Sequence, residues 1–75
     1  MNVTKQLDAK GLYCPMPTVK TSIALDMLNV GDVLEVIVTD KTSCRDLPRW
    51  VETTGNTLLE IKTEGEVSHI FIQKN

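Results

Sequence analysis

The chain lacks the features that mark membrane proteins, secreted proteins and nucleic-acid-binding proteins. No apolar run approaches the ~18 residues of a transmembrane helix, and the first six residues contain no apolar core of a secretory signal. Lys and Arg total 8 against 10 for Asp and Glu, so there is no cationic footprint for nucleic acid. We therefore expect a cytoplasmic chain whose partners are proteins, with no membrane contact and no direct nucleic-acid contact.

Cysteine and aromatic residues are also scarce. The two cysteines, Cys14 and Cys44, fit no zinc-binding spacing, and His69 raises the candidate ligands only to three. We expect no metal and no cofactor, and we expect both thiols to be free in a reducing cytosol. With 75 residues and no repeat or linker, the chain has room for a single domain over residues 1–75 and is too small for a large internal substrate pocket.

The apolar pattern predicts the element order β-α-β-α-β-β. Strands are expected over residues 3–9, 33–39, 58–63 and 67–74, and helices over residues 17–28 and 46–55. A right-handed crossover makes the first two strands parallel. The predicted fold is therefore of the α/β (α+β) class, a two-layer sandwich with two helices on one face of a four-stranded mixed sheet.

The sequence also predicts which side chains of the helices face the core and which apolar residues lie on the uncovered face of the sheet. In the first helix, Val19, Ile23, Met27 and Val30 recur at spacings of three or four. Joined by Ala24 and Leu28, they predict one apolar stripe that faces the core. The second helix is expected to begin either at Ser43, with Asp46 three residues later in a capping-box-like arrangement, or at Asp46 as N-cap, which we favour. Its inward residues are expected to be Leu47, Trp50 and Val51. On the uncovered sheet face, Val33, Ile37 and Phe71 form either a modest apolar patch or scattered surface residues.

The candidate site is Cys14-Pro15-Met16-Pro17, between the first strand and the first helix. Each proline disfavours the helical conformation in the residue before it, and Pro17 suits a first helical position. The helix is therefore expected to start at Pro17, with Met16 as an N-cap that offers no side-chain oxygen. Gly11, just upstream, can supply the positive φ of a sharp strand-to-helix turn. For Tyr13 we expect a simple packing role.

An uncapped helix start would favour an anion. The backbone N–H groups of Thr18 and Val19 would lack partners, and Lys20 would add a positive charge nearby. These groups favour the thiolate of Cys14, which is the nucleophilic form of the side chain. The alternative interpretation is that Cys14 is a small buried residue and that the prolines only shape a turn.

Here the chain resembles the TusA/SirA-like sulfur-carrier family over nearly its whole length. The matching residues are Leu7-Asp8, Gly11, Cys14-Pro15-x-Pro17, Lys20, Gly31-Asp32-x-Leu34-x-Val36, Asp40, Arg45-Asp46-Leu47-Pro48, Gly55 and a closing strand that ends in Lys74. The chain departs from the family pattern in having Lys41 in place of a proline, Asn56 in place of a histidine and Cys44 in place of a small polar residue.

The resemblance implies the same fold and a role for Cys14 as a persulfide-forming nucleophile. A donor, either a cysteine desulfurase or a rhodanese-like protein, would load Cys14, and a DsrE-like or similar protein would accept the sulfur. The chain would act as a sulfurtransferase within the relay, which leaves open whether it counts as an enzyme. The pathway also stays open among tRNA thiolation, cofactor assembly and sulfur oxidation, as does the oligomeric state.

Two further interpretations concern the same end of the sheet. The supporting residues around Cys14 are expected to be Pro15, Pro17, Thr18, Val19 and Lys20. Asp40, Arg45 and Asp46 form a mixed-charge surface suited to protein docking, although a solvated charged face explains them equally well. If Cys44 is a second functional thiol, the chain could instead be a redox-regulatory binding module in which Cys14 and Cys44 form a reversible disulfide.

Overall fold

The computed structural model describes residues 2–75, except for the side chains of Ser43 and Cys44. It contains four strands and two helices in the expected order. The elements are β1 (Lys5–Ala9), α1 (Met16–Asp26), β2 (Val33–Val38), α2 (Lys41–Thr53), β3 (Thr57–Glu64) and β4 (Val67–Gln73). None of the helices within the described residues is long and apolar enough to cross a membrane.

The four strands form one mixed sheet in the order β1-β2-β4-β3. β1 and β2 are parallel, with Lys5 opposite Leu34 and Ala9 opposite Val38, whereas β2 with β4 and β3 with β4 are antiparallel. The predicted topology is confirmed. Because β1 and β2 are parallel, the loops that follow them leave the sheet at the same end. This places the segment that contains Cys14 beside the start of α2.

The core lies between the helices and one face of the sheet. Alternate residues of β2 and β4 point toward this layer, as the two-residue period of a strand requires. Leu47 and Val51 of α2 are fully buried against them, and Trp50 packs at the edge of this cluster, as predicted. The buried cluster comprises Ala9, Ala24, Leu25, Leu34, Val36, Val38, Leu47, Val51, Ile70 and Ile72.

The expectation about the inward face of α1 is wrong for four of its six residues. Ala24 is buried, together with Pro17, Thr21 and Leu25, and Leu28 packs against the core, whereas Val19, Ile23, Met27 and Val30 are exposed. Apolar residues run along both sides of α1, so spacing alone does not decide which side turns inward.

The start of α2 also differs from the prediction. α2 begins at Lys41 with Asp40 as its N-cap residue, so Asp46 lies inside the helix together with Pro48. The two residues that follow β2, Thr39 and Asp40, already complete the change of direction. The extended conformation of Asp40, with ψ of 123°, leads the chain directly from the strand into the helix.

The uncovered sheet face does not present an apolar patch. Val33, Ile37 and Phe71 are at most 9% exposed. Polar side chains lie on the same face, beside Phe71 and opposite Ile37. The Lys62 ammonium lies 5.7 Å from the centre of the Phe71 ring, and His69 Nδ1 lies 2.6 Å from a carboxylate oxygen of Glu35. The three apolar residues therefore do not form an exposed patch on this face.

The C-terminal end of α1 is hydrogen-bonded to Lys74, near the end of the chain. α1 ends at Asp26, two residues before the predicted Leu28. The Lys74 ammonium donates hydrogen bonds to the carbonyl oxygens of Leu25 and Leu28 at 2.6 and 2.8 Å. The Leu25 carbonyl also accepts the Leu28 N–H at 3.1 Å, so the ammonium adds a charge-assisted bond there, and a cation at this position interacts favourably with the negative end of the helix dipole.

Candidate functional site

The segment from Ala9 to Cys14 turns sharply at Gly11. Gly11 has a φ of +81°, which glycine adopts at little cost, as predicted. Its N–H donates to the Thr39 hydroxyl oxygen at 2.9 Å. The Leu12 N–H donates to the Ala9 carbonyl at 3.2 Å. The loop is therefore attached to the end of β2 before the chain reaches the cysteine.

Cys14 itself is attached to the start of α2. Its backbone N–H donates to the Oδ2 atom of Asp40 at 3.1 Å. Asp40 is the N-cap residue of α2, so this one carboxylate connects the candidate nucleophile to the second helix. Sequence reasoning expected Asp40 on a docking surface and missed this contact. The signal available for it was the parallel pairing of β1 and β2, which brings the two loops to one end of the sheet.

α1 starts one residue earlier than predicted, which changes the hydrogen-bond acceptors of its first N–H groups. The helix begins at Met16 with Pro15 as the N-cap residue, and the Cys14–Pro15 peptide bond is cis. The Met16 N–H donates to the Tyr13 carbonyl, and the Val19 N–H donates to the Pro15 carbonyl. Val19 is therefore not a free donor, contrary to the prediction.

One amide of this first turn remains available. Pro17 has no N–H and is buried, as suits a residue in the first turn of a helix. The Thr18 N–H has no acceptor among the described residues. Within the described part of the chain, no side chain caps the helix start. The positive end of the α1 dipole thus faces the side on which Cys14 lies.

The thiol of Cys14 is exposed. This excludes the alternative in which the cysteine is a buried structural residue. Tyr13 is also exposed, at 74%, so the packing role expected for it is wrong, and Met16 is partly exposed. An exposed thiol between exposed neighbours is open to the reactive group of another macromolecule.

The other predicted site residues are Lys20, Arg45 and Asp46. Lys20 lines a groove between α1 and β1 together with Lys5, and Cys14 is not among the described residues that line it. Arg45 and Asp46 form an exposed ion pair at 3.4 Å on α2. These findings do not test the use of Arg45 and Asp46 in docking, which stays a prediction.

Two expectations concern thiol and metal chemistry near this end of the sheet. Among the residues that the structure describes, no group of three or more His, Cys, Asp or Glu side chains could hold a metal ion. The side chain of Cys44 lies outside the described residues, so a pairing with Cys14 remains a prediction from the sequence.

Comparison with known proteins gives a consistent result. The family model described as Sulfurtransferase TusA matches residues 5–74. Bacillus subtilis YrkI is 47% identical over 74 residues, which are 99% of each chain. YrkF of the same organism is 47% identical over 74 residues, and this chain spans 40% of its length. The sulfur carrier protein TusA of Allochromatium vinosum is 41% identical over 71 residues, which are 95% of this chain and 93% of that protein.

A solved structure shows a similar fold. The crystal structure of a SirA-like protein from Desulfitobacterium hafniense superposes with a TM-score of 0.80 at 27% sequence identity. The match covers 92% of this chain and 95% of that one. The similarity therefore extends over nearly all of the sheet and both helices.

Proposed function

The chain belongs to the TusA family of sulfur carriers, and on that premise we propose that Cys14 is the residue that receives sulfur as a persulfide and passes it to a second protein. The observation that supports this proposal is the exposure of the Cys14 thiol at the start of α1. The second cysteine is not required for the reaction.

Transfer of a sulfane sulfur takes two steps. In the first, the Cys14 thiolate attacks the terminal sulfur of a donor persulfide. The sulfur–sulfur bond of the donor breaks, its thiolate leaves with the electron pair, and a new sulfur–sulfur bond forms on Cys14. In the second, a thiolate of the acceptor attacks the terminal sulfur and releases the Cys14 thiolate. The sulfur moves without net oxidation or reduction, so no redox cofactor is needed.

The surroundings of Cys14 suit this exchange. The Asp40 carboxylate accepts a hydrogen bond from the Cys14 N–H, which holds the backbone in place and leaves the sulfur free to react. The free Thr18 N–H and the positive end of α1 favour a negative charge on this side of the helix. Pro15 and Pro17 fix the path of the chain between the thiol and the helix.

The partners follow from this chemistry. The donor must itself carry a persulfide, as a cysteine desulfurase or a rhodanese-like protein does, and the acceptor must offer a reactive thiol, as a DsrE-like protein would. The relay would serve tRNA thiolation, cofactor assembly or sulfur oxidation. We place it in the cytoplasm, where the thiol stays reduced between transfers.

Intact-protein mass spectrometry after incubation with inorganic polysulfide tests the proposal. Wild type and Cys44→Ser are expected to gain about 32 Da, reversed by a reductant, whereas Cys14→Ser gains nothing. A loss of about 2 Da that either mutation abolishes would instead establish an internal disulfide and the redox-regulatory alternative. Loading of Cys14→Ser equal to that of wild type would refute the role of Cys14.

A further inference from the structure

A row of apolar side chains runs along the exposed side of α1 and into the turn after it. We call this row the α1 stripe; it consists of Met16, Val19, Ile23, Met27 and Val30. The exposed fraction rises from 43% at Met16 to 77% at Val30. Isolated apolar residues on a surface need no explanation, but a contiguous row of this length is typical of an interaction surface.

The α1 stripe lies between two grooves. The groove between α1 and α2, of about 290 Å³, is lined by Thr18, Val19, Ser22, Ile23 and Trp50. The groove between α1 and β1, of about 170 Å³, is lined by Lys5, Leu7, Lys20, Ile23, Ala24 and Met27. Ile23 lines both grooves and forms the ridge between them. A partner can therefore place apolar side chains on either side of this ridge.

The charge beside the α1 stripe is positive on one flank. Lys5 and Lys20 both line the groove between α1 and β1, and no carboxylate lines it. Neither lysine forms an ion pair with a described residue. An occupant with acidic side chains on this flank would complement the two ammonium groups.

The same charges argue against an antiparallel pair of two copies of the chain. In an antiparallel two-fold pair of α1 helices, the same flank of both copies lies on the same side of the interface. Lys5 and Lys20 of one copy would then lie near Lys5 and Lys20 of the other. Like charges brought together in this way oppose association.

From these observations we infer that the α1 stripe is a docking surface for a sulfur-relay partner that presents an apolar helix or ridge flanked by acidic residues. The inference rests on the proposed function, because the α1 stripe begins at Met16, two residues after Cys14. A partner bound along α1 is thereby held with its adjoining surface next to the exposed thiol. In this account Lys20 binds the partner and does not act on the sulfur.

A pair of synthetic peptides tests the surface directly. One is an amphipathic helix with leucines on its apolar face and glutamates along one flank, and its twin carries lysines in place of the glutamates. Trp50, the single tryptophan of the chain, lines one of the grooves and reports binding by its fluorescence. We expect the acidic peptide to bind about tenfold more tightly than its twin at low salt, and this preference should fade as salt is added.

Variants locate the binding. Ile23→Glu is expected to abolish binding of the acidic peptide, and Lys20→Glu should weaken it while strengthening binding of the lysine twin. The matched control is Ile61→Glu, which changes an isoleucine of 43% exposure on β3 and should bind as wild type does. Equal affinity for the two peptides, no binding of either, or an equal loss in Ile61→Glu would overturn the inference.

Two companion measurements separate this inference from other outcomes. Sedimentation of the wild-type chain should show a monomer; a dimer that Ile23→Glu converts to monomer would identify a second copy as the occupant and contradict the inference. Loading of the wild-type chain by inorganic polysulfide reports on Cys14 alone. Failure of that loading would refute the proposed carrier chemistry, whereas failure of peptide binding would refute only the docking surface.

Discussion

The carboxylate of Asp40 accepts a hydrogen bond from the backbone N–H of Cys14 at 3.1 Å. The contact joins the N-cap residue of α2 to the loop that precedes α1, so the position of the thiol depends on two helices and on the end of β2. A bond to the backbone fixes the loop without engaging the sulfur. Asp40 is therefore a positioning residue in this account.

Replacing Asp40 tests this role. In Asp40→Ala the Cys14 N–H loses its acceptor, and an intramolecular hydrogen bond is worth about 0.5–1.5 kcal/mol, so loading of Cys14 by polysulfide should slow by about two- to tenfold. The rate of mass gain measures this, and Asp40→Asn, which keeps an acceptor oxygen, should restore most of it. Asp8→Ala is the matched control, since Asp8 accepts the backbone N–H of Lys10. An equal slowing in Asp8→Ala, or none in Asp40→Ala, would contradict the role.

Lys74 provides a test of how α1 is held at its other end. Its ammonium bonds the carbonyl groups of Leu25 and Leu28. Because charge-assisted bonds to a helix end are partly offset by solvation, we expect Lys74→Met to lower the free energy of unfolding by about 1–2 kcal/mol. Urea denaturation measures the change. Lys10→Met, which removes only an exposed pair with Asp8 at 4.0 Å, should cost far less, and equal losses would refute the capping role.

The orientation of α1 can be checked with a pair of alanine substitutions. Leu25 is 3% exposed and Ile23 is 57% exposed. Leu25→Ala should therefore lower the free energy of unfolding by about 2–4 kcal/mol, whereas Ile23→Ala should change it by no more than about 0.5 kcal/mol. Thermal or urea unfolding distinguishes the two. The opposite order would mean that the α1 stripe faces the core after all.

The sequence predicted the architecture because strand period and glycine position carry strong local information. Alternation along β2 places Leu34, Val36 and Val38 on one face of the strand, and all three are buried. Gly11 and the last two strands also lie close to where they were expected. These features depend on neighbours in sequence, so no tertiary contact was needed to predict them.

The orientation of α1 depends instead on which of two apolar sides fits the sheet. Thr21 and Ala24 are less hydrophobic than Ile23 and Met27, yet both are buried. Thr21 also satisfies its hydroxyl within the helix, by donating to the Pro17 carbonyl at 2.7 Å. A periodicity argument shows that an apolar side exists, but it contains no information about which of two such sides packs on the sheet.

The candidate site could also be predicted only in part. Cys14 was identified as the candidate nucleophile from the local sequence and from the resemblance to a family. Its anchoring by Asp40 and Thr39 arises from residues 26 and 28 positions away in the chain. Such contacts follow from the parallel pairing of β1 and β2, which the sequence indicated, but their partner atoms depend on the exact path of each loop.

The most direct test of the central claim follows one labelled sulfur through the chain. Wild type is loaded from a persulfide donor with a ³⁴S terminal sulfur and then mixed with an acceptor thiol, and tryptic peptides are measured before and after. Trypsin separates Cys14, in the peptide from Gly11 to Lys20, from Cys44, in the peptide from Thr42 to Arg45. The account predicts that ³⁴S appears on the Cys14 peptide and leaves with the acceptor. Label on the Cys44 peptide alone, or label that stays on Cys14 after the chase, would contradict it.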